Sequence, residues 1–169
     1  MTYVWWALGA LVFVSFGLIV LRGAPYVPSH RKQLRHAFKT LYPLGENDML
    51  VDLGAGDGIV LDEARRRGAR SIGYELNPIL WAIMKYRFRH VPQVSVVLHD
   101  YEHIKRLPPG VTVVYAFATS LSISSIETCL LRWSQYQPLT FISYGFEVPS
   151  ATLIAQDGAM RMYSYGSKA

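Results

Sequence analysis

The chain is 169 residues long, carries 17 Lys and Arg against 12 Asp and Glu, and has a formal net charge of +5. That length suits one globular domain and little more, and the basic excess is too small on its own to argue for nucleic-acid binding. The single cysteine, Cys129, excludes an internal disulfide framework and a cysteine-based metal site; within the apolar stretch Thr128–Leu131 it reads as a small buried hydrophobe.

From Tyr3 to Leu21 no residue is charged. As a helix this stretch would rise about 28 Å, close to the roughly 30 Å hydrocarbon core of a bilayer. Tyr3, Trp5 and Trp6 gather at one end, where amphipathic rings favour the headgroup layer. The first charge is Arg22, followed by His30, Arg31, Lys32, Arg35 and Lys39, so the positive-inside rule puts the remainder on the cytoplasmic side, or the matrix side in a mitochondrion. Met1–Thr2 lacks the basic start of a signal peptide, and residues 21–26 are a poor cleavage site. The expectation is one transmembrane helix in a single-pass anchor over residues 1–22, with the lipid bilayer as partner through residues 3–21 and a targeting role as the alternative.

Residues 23–47 form a second region. Pro25 and Pro28 hold the chain extended, and Ser29 is a good N-cap. Leu34, Ala37, Phe38 and Leu41 then recur at helical spacing, with Arg31, Lys32, Arg35 and Lys39 mostly on other faces. This basic face is either plainly solvated or drawn to anionic lipid.

Residues 48–169 alternate between strand and helix patterns. Met49–Leu53 reads as a strand, Ile59–Arg67 as a helix closed by Gly68, Ser71–Glu75 as a strand, and Pro78–Arg89 as a helix opened by its proline. Val94–Leu98 and Val111–Ala118 are strands, Ile123–Trp133 is a helix and Leu139–Phe146 a fifth strand. This order predicts an α/β fold with a parallel sheet and right-handed crossovers. Asp157-Gly158 lies between the strand-like runs Thr152–Ala155 and Met160–Tyr165, which predicts a C-terminal antiparallel hairpin.

Gly54, Gly56 and Gly58 fall in the first strand-to-helix turn, beside Asp52 and Asp57. In an open α/β sheet that turn floors a ligand site, and glycine lets backbone come close to the ligand. Glu75, 23 positions after Asp52, ends the second strand where a carboxylate can accept ribose hydroxyls. The two aspartates would repel a diphosphate, Ile59 stands where a dinucleotide fingerprint needs its third glycine, and no Gly-Lys-Ser/Thr follows. S-adenosylmethionine fits: an adenosine for Glu75, no phosphate, and a cationic amine and sulfonium for the acids. His99 and His103 lack a convergent third ligand, so no metal is expected.

The segment Val51–Gly58, "VDLGAGDG", resembles motif I of the seven-β-strand class I methyltransferases. In order, "GAPYVPS", "VDLGAGDGIVL" and "GYELNP" behind a hydrophobic start resemble the small membrane-anchored protein-lysine N-methyltransferases, whose mitochondrial members act on the adenine nucleotide translocase and the ATP synthase c-subunit. The likeness runs from Gly23 to about Pro149. It implies a Rossmann-like class I sheet that binds S-adenosylmethionine. Asp52 would face the methionine amine, Gly54, Ala55 and Gly56 would meet the methionine through backbone, and Glu75 would hold the ribose. Leu76 and Asn77 would line the adenosine, with Asp100 and Tyr101 at the adenine, while Tyr26 would cover the cofactor or shape a lysine channel.

One departure concerns the acceptor. After the fourth strand the chain reads "FATSLSI" from Phe117, where many class I N-methyltransferases carry Asn/Asp-Pro-Pro-Tyr and the anchored family commonly a proline. By position, Tyr26, Tyr144 and Glu147 are the candidates to orient a lysine amine. The function expected is therefore in-line methyl transfer to a lysine of a membrane-associated protein, without nucleic acid as a partner. A lipid or small-molecule methyltransferase and a tethered, catalytically degenerate binding module remain as alternatives.

Overall fold

The computed structural model describes residues 3–7, 9–10 and 31–166. Residues 3–7 and 9–10 are helical, with Tyr3, Trp5 and Trp6 exposed. Among the described residues no helix is long and apolar enough to cross a membrane, so the expected transmembrane helix is corrected out of the fold class. The remainder of the uncharged run, and Tyr26 with the Pro25–Pro28 segment, lies outside the described residues.

Seven strands form one sheet: β1 (Met49–Leu53), β2 (Arg70–Glu75), β3 (Val94–Leu98), β4 (Val113–Phe117), β5 (Leu139–Tyr144), β6 (Leu153–Asp157) and β7 (Met160–Tyr165). Their order is β3-β2-β1-β4-β5-β7-β6. The first five are parallel, and β7 runs antiparallel between β5 and β6. The expected parallel sheet with a terminal hairpin is thus observed, with the hairpin's second strand inserted next to β5. Strand order reverses between β1 and β4, which opens a crevice at their carboxyl ends. β5 stops at Tyr144 because Gly145 turns the chain at φ 100°.

Helices cover both faces. α1 (Arg31–Thr40), α2 (Ile59–Arg66) and α3 (Pro78–Arg87) bury Leu34, Phe38, Leu61 and Met84 against Leu50, Val113, Tyr115 and Ile142. α4 (Ile123–Trp133) buries Ile126, Leu130 and Trp133 against Val51, Val114, Ala116 and Phe141. Neighbours such as Leu50 and Val51 face opposite helices, as the two-residue period of a strand requires. Each large apolar side chain fully buried in this way contributes about 1.5–3 kcal/mol. Trp133 is also held by its indole N–H, which donates to the Ile104 carbonyl at 2.9 Å. α3 begins where it was expected: the Asn77 side chain accepts from the Ile79 and Leu80 N–H groups and Pro78 takes the first helical position.

Candidate active site

β1 carries Asp52 to the crevice between Gly73 of β2 and Tyr115 of β4, where it is 2% exposed. The chain then turns through Gly54, Gly56 and Gly58, at φ 76°, 58° and 79°. Four amide groups of this turn, those of Gly54, Ala55, Gly56 and Gly58, are spent inside the protein. Gly54 and Ala55 N–H both donate to the Tyr74 carbonyl at 2.9 Å, and Gly58 N–H to the Ala55 carbonyl at 2.9 Å. Gly56 N–H donates to Glu75 Oε2 at 2.7 Å. At the start of α2, Asp57 Oδ1 accepts from Ile59 N–H at 3.3 Å. A phosphate needs such donors free, so the geometry agrees with the exclusion of a diphosphate on grounds the sequence did not offer.

Glu75, 8% exposed, also accepts from the Leu76 and Asn77 N–H groups at 2.9 and 2.8 Å. Its carboxylate therefore clamps the glycine turn to the loop after β2. Burial first, and then the nearby charges of Glu75 and Asp57, hold the Asp52 carboxyl well above its ordinary value of 3.8. A buried acid destabilised by two other acids is relieved by a cation. The residues present fit S-adenosylmethionine on this count, because its amine and sulfonium supply that charge. Gly54 adds room: a Cβ there would meet nothing within 4 Å.

The other expected cofactor residues are gathered less tightly. Leu76 is exposed on the rim, while Asn77 is buried, its side-chain oxygen capping α3 and its amide nitrogen without a partner among the described residues. Asp100 follows β3, accepts from Glu102 N–H at 3.0 Å and lies 3.3 Å from His103 Nδ1. It caps the single 3-10 turn Tyr101–His103, and burial pushes the Tyr101 hydroxyl up to about 12. Among the described residues no group of His, Cys, Asp and Glu could hold a metal ion.

At the acceptor side, Phe117 and Tyr144 end β4 and β5 with ring centroids 5.2 Å apart. The Tyr144 hydroxyl donates to Gln33 Oε1 of α1 at 2.6 Å. Glu147 is not brought in: its side chain is 69% exposed and pairs with Arg161 at 3.3 Å. In place of a proline motif, Thr119 and Ser122 hydrogen-bond each other and close the start of α4.

Two residues that build the site went unnoticed in the sequence. A Cβ on Gly73 would meet Leu61 Cδ1 at 2.7 Å and the Ala55 Cβ at 2.8 Å, so this glycine lets the turn lie on β2. Arg87 Nη1 donates to the Asp57 carbonyl at 2.9 Å and braces the turn from behind. The signal for Gly73 was a glycine inside a strand, which marks a close backbone approach; Arg87 had none.

No family model matches the chain. The lysine N-methyltransferase of the ATP synthase c-subunit from Xenopus laevis is 38% identical over 65 residues, 38% of this chain and 27% of that protein. Its Caenorhabditis elegans counterpart is 41% identical over 68 residues, 37% of this chain and 36% of that protein. Ribosomal RNA small subunit methyltransferase A of Thermotoga maritima is 34% identical over 99 residues, 59% of this chain and 35% of that protein. The chain spans about a quarter to a third of the length of such relatives. Because RNA enzymes stand among them, the exclusion of nucleic acid drawn from net charge is not supported; a sum of charges does not say where they gather. Among solved structures, an RNA methyltransferase of Salinibacter ruber in complex with S-adenosyl-L-homocysteine superposes with a TM-score of 0.65 at 23% identity, over 82% of this chain and 92% of that one. A geranyl diphosphate methyltransferase in complex with S-adenosylmethionine gives 0.55 at 18% identity, over 67% and 48%. Sheet order and these likenesses together assign the chain the fold of the class I S-adenosylmethionine-dependent methyltransferases.

Proposed function

We propose that this chain is an S-adenosylmethionine-dependent methyltransferase whose acceptor is a protein lysine. The observation that carries the cofactor is the buried Asp52, crowded by Glu75 and Asp57 at a glycine turn whose amides are already engaged. When bound, S-adenosylmethionine supplies a methyl group on a sulfonium with a neutral thioether to leave. Asp52 holds the positive charge, the Gly54–Gly56 backbone gives it a close floor, and Glu75 keeps the two cofactor loops in register. Glu75 would also be the residue to accept from the ribose hydroxyls. The protein's share of the rate is alignment and the exclusion of water.

For the acceptor, Tyr144 is the better of the described candidates. Its proton lies on Gln33, which leaves oxygen lone pairs to accept an N–H from a neutral amine and aim its nitrogen. Glu147 is assigned no part, since it stands in solvent. The lysine reading draws support from the short, higher-identity match to the lysine enzymes of the ATP synthase c-subunit. Methyl transfer to RNA is the second reading, favoured by the longer match to ribosomal RNA enzymes.

The test is transfer of labelled methyl from S-adenosylmethionine into cell extract separated into protein, RNA and lipid. Label in protein, located on lysine by mass spectrometry, is expected. Label in RNA selects the second reading, label in lipid defeats both, and cofactor binding with no transfer leaves a non-catalytic module.

A further inference from the structure

The net charge of +5 is not spread evenly. Asp62 of α2, 7% exposed, is approached by four guanidiniums: Arg65 at 2.9 Å, Arg66 at 3.2 Å, and Arg31 and Arg87 at 3.5 Å. Glu63 beside it takes Arg35 at 3.6 Å and Arg67 at 3.2 Å. Six arginines against two carboxylates leave four positive charges on one face of α1, α2 and the end of α3. Two carboxylates cannot saturate that many N–H donors, since each guanidinium brings five. Arg31, Arg35 and Arg66 are each more than half exposed, so their remaining donors face outward.

The belt ends beside a different feature. Tyr86, next to Arg87, is 70% exposed and carries the Arg89 guanidinium 4.1 Å from its ring centre. On either side of it in the chain, Lys85, Arg89 and His90 line a cavity of about 510 Å³ with Phe88, Val91 and Pro92. An exposed ring already stacked with a guanidinium, beside a basic groove, is the combination that takes backbone and bases of an unpaired strand. A bilayer-seeking face would instead set large apolar side chains among its charges. α1 and α2, which carry most of the belt, expose none among the described residues, and α3 exposes Ile83 and Tyr86.

From this we infer that the α1–α2–α3 face is a docking surface for single-stranded RNA, with the arginine belt on the phosphates and Tyr86–Arg89 as a stacking platform. The inference goes beyond the proposed methyl transfer and does not depend on it, because docking needs no cofactor.

Binding of a fluorescein-labelled 15-nucleotide oligouridine is measured by anisotropy between 25 and 200 mM KCl, without S-adenosylmethionine. Arg65→Gln/Arg66→Gln is expected to weaken binding about tenfold and to flatten the log–log salt slope by about 1.4, two phosphates at roughly 0.7 each for a single strand. Tyr86→Ala is expected to weaken it about 5- to 100-fold with the slope unchanged. Circular dichroism checks that each variant is folded; should the double variant unfold, the wild-type slope decides, and a value near zero overturns the belt. Equal binding by Tyr86→Ala overturns the single-strand assignment. Capture by phosphatidylserine vesicles with no RNA binding overturns the inference in favour of a lipid surface.

Discussion

The ends of β1 and β2 and the ends of β4 and β5 lie along one edge of the sheet and are built by different rules. At the first pair, backbone groups and one carboxylate do the work: the Tyr74 carbonyl, the Gly56 amide and the Glu75 side chain lock two loops together around a buried acid. At the second pair, side chains meet across elements distant in the sequence: Phe117 on Tyr144, and Tyr144 on Gln33. The first arrangement is stiff and fits one kind of ligand charge. The second depends on what α1 and the loop after β4 present, and so can differ between proteins that share the fold.

The largest difference between the two ends is expected from Asp52→Asn. It should lower kcat/KM about 100-fold, some 2.7 kcal/mol, chiefly by weakening S-adenosylmethionine, as kinetics and calorimetry would record. The same change should stabilise the free protein at pH 8. Burial raises the Asp52 carboxyl above its unfolded value, so the folded state binds more protons and stability falls as pH rises from about 3.8 through the raised value. Removing that acid removes the loss, and a melting curve for Asp52→Asn flatter with pH than the wild type would record it.

Gly58→Ala tests stiffness at the same end. Its φ of 79° and a Cβ 2.7 Å from Phe88 should cost about 2–3 kcal/mol in denaturant unfolding. At the other end Tyr144→Phe should reduce kcat about tenfold with unchanged cofactor affinity. A purely structural tie to α1 would shift melting and leave kcat alone. Glu147→Gln should stay within about twofold in every measurement, because an exposed ion pair contributes little.

The same contrast explains what could be read in advance. The cofactor end was legible because its rules are local: a glycine pattern after an apolar strand and an acid at the next strand's end fix that geometry whatever the rest of the chain does. Asp52, Gly56 and Glu75 came together accordingly. The acceptor end was not, because Tyr144 meets Gln33 across 111 positions and Glu147 turns outward only through Arg161. The arginine belt was hidden for a related reason: its members lie on three helices, and net charge averages them away. The transmembrane helix is the exception: no helix among the described residues is long and apolar enough to cross a membrane.

Calorimetric titration of S-adenosylmethionine in two buffers of different ionisation enthalpy probes the acid at the centre of the site. A cation that holds Asp52 ionised must expel its proton wherever the free acid carries one, so in the window between the ordinary 3.8 and the raised value binding to the wild-type chain should release protons and tighten as pH rises, and Asp52→Asn should bind weakly with no release. Affinity that does not change with pH across that window, or equal uptake of NAD in place of S-adenosylmethionine, would contradict the cationic ligand.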